Sequence, residues 1–340
     1  ESGAGSASGF LDADYAAAGA RIVAGPAEIF ACPLVVKVKE LQPAEYGLLQ
    51  PGCLVAGYQQ LARDPELLSA VLDRRITCLA YESVAKADGS RPMLTPMSTI
   101  AGLMSAQIAA WALQRREGAL TGSGTLLMGL PEVPPGRVLV VGDGKVGQAA
   151  VRAFLMLGCD VTVLGQAPAL LALIAKEHQG RSVGTLRTDL CSPEALADCI
   201  ATSDAVVGAV AVQGRLAPKL ITRAMLRTMK PGSVLVDIGI DMGGISETSR
   251  QTKLSEPLYV EEGVLHYCVP NVPALVPRAA TLALTTATLP YVQLVADRGL
   301  EGALAAAPEL ASGLLVHQGG VVDPALAADT GRPCAPFPFQ

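Results

Sequence analysis

Short runs of β-branched and aliphatic residues alternate along this chain with longer stretches whose apolar positions recur at helical spacing, the pattern of an α/β fold with parallel strands. The clearest strand-like runs are 34–39, 137–141, 160–164, 205–210 and 233–238. Between 137 and 240 they are separated by helix-like segments at 146–157, 167–178, 193–201 and 218–229, the rhythm of a doubly wound nucleotide-binding domain. Two stretches without charge, 98–113 and 279–296, flank this region. They predict apolar helices at 97–115 and 278–298, one at each boundary of an inserted domain. The expected organisation is a central dinucleotide-binding domain, 113–275, enclosed by a discontinuous outer domain, 1–112 plus 276–340. After 300 the Ala-rich chain reads as helix and then as irregular from about 319, and no internal repeat is visible.

Composition narrows the class. A chain of 340 residues exceeds what one core usually serves, so two domains are expected. Half of the residues are hydrophobic and 17% are charged, which excludes a disordered chain. The net charge is -5 with no basic block that would neutralise a run of phosphates, so nucleic acid is not expected as a partner. The eight cysteines form no C-x-x-C pair and read as small buried apolar residues, which suits the cytoplasm. Thr, Ser and Gln within the uncharged stretches, with Pro290, point to buried helices of a soluble protein rather than membrane spans. The chain begins at Glu1 with neither methionine nor a basic-then-apolar leader, so a cut or processed start without a signal peptide is expected.

The strongest motif follows the run 137–141. Gly142-Asp143-Gly144-Lys145-Val146-Gly147 is a G-x-G-x-x-G that opens a helix. Its first glycine permits a tight turn, its second lets backbone approach a pyrophosphate, and its third lets helix and strand pack closely. Free amides at the helix start then meet the diphosphate charge. The next strand should end in an acid that holds the ribose hydroxyls. Here it ends in Gly165, followed by Gln166, Ala167 and Pro168, with Lys176 the first cation. The missing acid argues against ordinary NAD use and leaves the cofactor open between NAD(H) and NADP(H), with NAD(H) the leading choice.

At this point the chain resembles the alanine dehydrogenase family, together with its transhydrogenase and saccharopine dehydrogenase relatives. The matching stretches include Lys37-Val38-Lys39-Glu40, Ala80-Tyr81-Glu82-Ser83-Val84, Leu94-Thr95-Pro96-Met97-Ser98 and the glycine motif. Further along come Ala217-Pro218-Lys219-Leu220, Met229-Lys230-Pro231-Gly232-Ser233, Asp241-Met242-Gly243-Gly244 and Pro270-Asn271-Val272-Pro273. The resemblance implies a Rossmann-type domain inserted in a discontinuous α/β substrate domain, a nicotinamide cofactor, a small amino-acid or oxo-acid substrate, and a homo-oligomer, commonly a hexamer. It implies that Lys39 engages the substrate, against the plainer reading of Lys37 and Lys39 as one solvated strand face. Asp241 matches the family's active-site aspartate, against a turn acid. Asn271 matches a contact on the nicotinamide side, against a structural turn between Pro270 and Pro273.

Several family positions are changed. Gln60, in Tyr58-Gln59-Gln60-Leu61-Ala62, stands where the family has its catalytic histidine, and an amide cannot take up a proton near neutral pH. The family's substrate-binding arginine belongs to an element that would precede Glu1. Met97-Ser98-Thr99-Ile100-Ala101-Gly102-Leu103 lacks the family's Glu and Arg, Thr285-Thr286-Ala287-Thr288 lacks its Asn, and Gly165 replaces the ribose acid. His266, within the strand-like 264–268, reads as a satisfied core residue, and His178 as a helix-end cation. No histidine or cysteine spacing suits a metal site, so none is expected. The resemblance implies an alanine dehydrogenase-like oxidoreductase moving hydride to or from the C–N carbon of a small amino or imino acid, and the changed positions leave the alternative of a non-catalytic member retained for binding or assembly.

Overall fold

Parallel strands buried on both faces need side chains that are apolar on both, and the short runs Leu54–Gly57 and Thr77–Ala80 meet that demand with every residue buried. The computed structural model describes residues 1–180, 183–210 and 216–339. Its strands are β1 (Leu34–Val36), β2 (Leu54–Gly57), β3 (Thr77–Ala80), β4 (Arg137–Val141), β5 (Asp160–Gly165), β6 (Thr185–Leu190), β7 (Ala205–Gly208), β8 (Val234–Asp237), β9 (Leu258–Glu261), β10 (Val264–Tyr267), β11 (Leu314–His317) and β12 (Gly320–Val321). They form two sheets in two compact units, Glu1–Met97 with Val276–Gln340, and Ser98–Leu275. From Ser98 onward the helix Thr95–Ala112 falls in the second unit.

The first unit carries the sheet β1-β2-β3-β11-β12. Its first three strands are parallel, and β11 runs antiparallel to β3. Strand alternation sends Val55, Cys78 and Ala80 into a core with Phe30, Leu67 and Val71. Leu54, Ala56 and Leu79 go into another with Tyr81, Met93 and Leu310.

The second unit carries the sheet β6-β5-β4-β7-β8-β10-β9, parallel throughout except for the β9–β10 pair. This is a doubly wound sheet whose strand order reverses between β4 and β7. Leu139, Val141, Leu164, Val206 and Leu235 build the core on one face. The helices Lys145–Met156, Pro168–His178 and Pro193–Thr202 lie where the sequence pattern puts them. Where the helix Thr95–Ala112 passes the glycine-loop helix, a β-carbon on Gly102 would collide with the Val146 carbonyl oxygen and lie 2.7 Å from Ala149 Cβ. Gly102→Ala is therefore expected to lower unfolding stability by about 1–3 kcal/mol, read from urea denaturation.

Several expectations are corrected. The run 34–39 stops as strand at Val36, although the Lys37 amide still donates to the Ala56 carbonyl. Of 218–229, Arg223–Leu226 is helical, because the preceding segment is drawn alongside the turn after β8, with Ala217 N bonding to Met242 O and Leu220 N to Ile245 O. Residues 314–317, expected to continue the helix, form β11, and the tail expected to be irregular from about 319 folds into β12 and the helix Pro324–Thr330. The helix Pro277–Ala306 is long and apolar enough to cross a membrane by length and composition alone. It is largely exposed within this chain rather than buried, with Leu282 and Leu289 open, and its backbone breaks at Gly299. Among the cysteines, Cys53, Cys78, Cys159 and Cys268 are buried as expected, whereas Cys32 and Cys334 are exposed. His266 is the satisfied core residue that its sequence suggested: Nδ1 meets the Val264 carbonyl at 2.9 Å, Nε2 meets Thr248 Oγ1 at 2.8 Å, and burial lowers its pKa.

Candidate active site

Ligands of parallel sheets gather at the carboxyl ends of the strands, and both units put their candidate residues there. In the second unit β4 runs into Gly142, whose φ of 118° suits glycine. A β-carbon at Gly142 would press to 2.6 Å on the Ala209 carbonyl oxygen. One on Gly147 would collide with the Gly142 carbonyl. Gly144 differs, because a β-carbon there would meet no packed neighbour within 4 Å. It is also the N-cap of the helix Lys145–Met156, and no side chain caps the amides that begin with Lys145 and Val146. Open space beside uncapped amides is the form of loop that receives a pyrophosphate, so the residues present fit a dinucleotide.

Gly165 ends β5 and is buried. The volume that a side chain would enter there holds the carboxylate of Asp143, from the glycine loop itself. After β8 the chain tightens into a turn, Ile238–Met242, that presents Asp241 at the surface. The Asn271 amide donates to Asp241 Oδ2 at 3.3 Å, so these two predicted residues are brought together. Lys219 Nζ fixes the following glycine turn by donating to the carbonyls of Gly243 at 2.6 Å and Gly244 at 2.9 Å. Beneath it the buried Asp237 accepts from Ile245 N at 2.8 Å and from Ser249 Oγ at 2.5 Å, and burial pushes its carboxyl pKa up.

In the first unit Lys39, Gln60 and Glu82 follow β1, β2 and β3, three adjacent parallel strands. Lys39 Nζ lies 3.5 Å from Glu40 and stays 40% exposed, which leaves it able to meet an anion. Lys37 is spent on Glu45. Gln60 adopts the left-handed backbone conformation, with φ 49°. Its amide and that of Gln59 donate to Glu82 Oε1 at 2.8 Å and 2.9 Å. Glu82 Oε2 is buried without a hydrogen-bond partner.

Glu82 was not singled out among the candidate residues. The signal available was an acid that directly follows the buried Tyr81 at the end of a hydrophobic run, two residues before the buried Val84. Burial raises its pKa, opposed by the amides of Gln60 and Gln59 and by the Lys39 charge. A raised carboxyl favours the folded state while protonated, below the ordinary glutamate range, and that contribution is lost as pH rises through the folded value. Urea midpoints measured from acid to neutral pH are accordingly expected to fall less steeply in Glu82→Gln than in the parent.

The N-terminal domain profile of alanine dehydrogenase/PNT matches residues 1–101, and the C-terminal domain profile matches residues 105–324. The chain belongs to the alanine dehydrogenase/PNT family. It is 45% identical over 332 residues to alanine dehydrogenase of Halomonas elongata, spanning 97% of this chain and 88% of that protein. A solved L-alanine dehydrogenase superposes with a TM-score of 0.87 at 39% identity, over 95% of this chain and 88% of that one. A transhydrogenase from Sinorhizobium meliloti superposes with a TM-score of 0.76 at 25% identity, over 95% and 89%. The α/β fold with its Rossmann-type nucleotide-binding domain is thus the alanine dehydrogenase fold, and the boundary between the two profiles falls inside the helix Thr95–Ala112.

Proposed function

We propose that this chain is an alanine dehydrogenase-like oxidoreductase that moves hydride between a nicotinamide dinucleotide and the C–N carbon of a small amino or imino acid. The observation that carries this is the glycine loop, closed to side chains at Gly142 and Gly147 and open at Gly144 before an uncapped helix. Gly144, Lys145 and Val146 would offer backbone groups to the pyrophosphate, Gly142 and Gly147 shape the loop that receives it, and Asn271 would contact the nicotinamide side. When bound, the cofactor supplies the hydride acceptor or donor.

The chain's own residues do the rest. Lys39 pairs with the substrate carboxylate as a charge-assisted donor. Asp241 orients ammonia or water and stabilises the positive charge of the iminium that hydride removal leaves. Gln60 hydrogen-bonds substrate or water but transfers no proton, so the hydrolytic half of the reaction is slow and chemistry that conserves the C–N bond is favoured. Cytoplasmic localisation and homo-oligomeric assembly belong to the same reading.

A second reading, a binding or assembly role without turnover, is favoured by Gln60 and Gly165 and opposed by the retained Lys39, Asp241 and Asn271. Titration with NADH and NADPH, followed by nicotinamide fluorescence, tests the first. Saturable binding supports it and leads to a screen of 2-oxo acids and imines with and without ammonia. Absence of binding by both, in a folded sample, overturns it in favour of the second.

A further inference from the structure

The end of β5 lacks the acid that normally meets the adenosine ribose, yet the space is not empty. A β-carbon built on Gly165 would collide with Asp143 Oδ2 and lie 2.6 Å from Asp143 Cγ and 2.7 Å from its Cβ. The Asp143 side chain therefore occupies the volume into which a longer residue at 165 would extend. It is fixed there. Asp143 Oδ2 accepts from the amides of Gln166 at 3.0 Å and Ala167 at 2.8 Å, the two residues that follow the strand. The Gly142 amide bonds to the Leu164 carbonyl at 2.8 Å, which holds the loop against the end of β5. Gln148 Nε2 bonds to the Asp143 carbonyl at 2.9 Å.

We infer that Asp143 is the ribose-recognising carboxylate of this chain, moved from the strand end into the glycine loop, and that it selects NAD(H) over NADP(H). The inference rests on the nucleotide reading above. Gly165 complements it, because a side chain there would have to displace the Asp143 carboxylate. One oxygen of the carboxylate is engaged by backbone amides, which sets its orientation, and the other is available to accept from ribose hydroxyls. A 2′-phosphate brought to the same place would meet a like charge at short range.

The test is binding of NADH and NADPH to the full chain by nicotinamide fluorescence. The parent is expected to bind NADH more tightly than NADPH. Asp143→Ala should weaken NADH binding about 10- to 100-fold, and the preference should collapse toward parity. Asp143→Asn keeps an acceptor for the Gln166 and Ala167 amides but loses the charge, and its preference should fall as well. The exchange Asp143→Ala with Gly165→Asp returns the acid to the strand end and should restore the NADH preference, whereas Gly165→Asp alone should not bind well.

Parity of the two dinucleotides in the parent overturns the inference. So does an equal loss for both in Asp143→Ala with unchanged thermal unfolding, which would make the residue a loop brace. Both results leave the nucleotide reading standing. Absence of any binding by the folded parent overturns that reading, and the inference with it.

Discussion

Replacing Gln60 by histidine is expected to raise the turnover of alanine deamination by about 10²-fold or more, the scale of a positioned acid/base group. The position is prepared for the exchange. Gln60 sits at a left-handed backbone angle, and histidine is among the residues enriched there, so the substitution adds no backbone strain. Its amide is held by Glu82 Oε1, and the buried, partnerless Glu82 Oε2 belongs to the same strand-end cluster. An imidazole here would deliver the proton transfers of iminium hydrolysis that the amide of Gln60 cannot. Steady-state NADH formation from alanine, compared between the parent and Gln60→His, reads the effect. No gain, with cofactor binding intact, would mean that the position does not face the reacting atoms.

The second large effect is a loss. Asp241→Asn keeps the oxygen that accepts from the Asn271 amide and removes the charge, so the turn should persist while the iminium loses its counter-charge. In the Gln60→His background kcat is expected to fall about 10²–10³-fold with NADH affinity unchanged. Lys39→Ala should act differently. With the proposed partner of the substrate carboxylate removed, KM should rise about 10- to 100-fold, at the strength of a charged hydrogen bond. If both variants weaken NADH binding equally and leave the kcat-to-KM split unchanged, neither residue has the role given to it.

What the sequence made legible was local. The glycine loop could be read because its glycines fall at fixed spacing: Gly142 needs a positive φ, Gly147 a close approach to the Gly142 carbonyl, and Gly144 leaves open space before the helix. The long helices could be read because each repeats one choice over many residues. The runs of β2 and β3 are four residues each, too short to separate from helix by periodicity, and β6 carries polar residues along its length because it is a sheet edge. The failure at 218–229 has a tertiary cause: helical spacing is present, but the backbone bonds of Ala217, Leu220 and Ile221 to the turn after β8 prevail.

The site shows the same division. Lys39, Gln60, Asp241 and Asn271 were visible through resemblance to a family. Glu82 and Asp143 were not, because neither role follows from neighbours in sequence. Glu82 matters through the amides of a different strand end, and Asp143 through the space left by a glycine more than twenty residues away.

Hydride transfer from the C–N carbon is followed most directly by isotope transfer. Alanine deuterated at C2 is incubated with NAD⁺ and the protein, as parent and as Gln60→His, and the NADH is examined by mass spectrometry. Deuterium is expected in the reduced nicotinamide ring, with more formed by Gln60→His. Unlabelled NADH, or none from alanine or from any other small amino acid in either form, would contradict it.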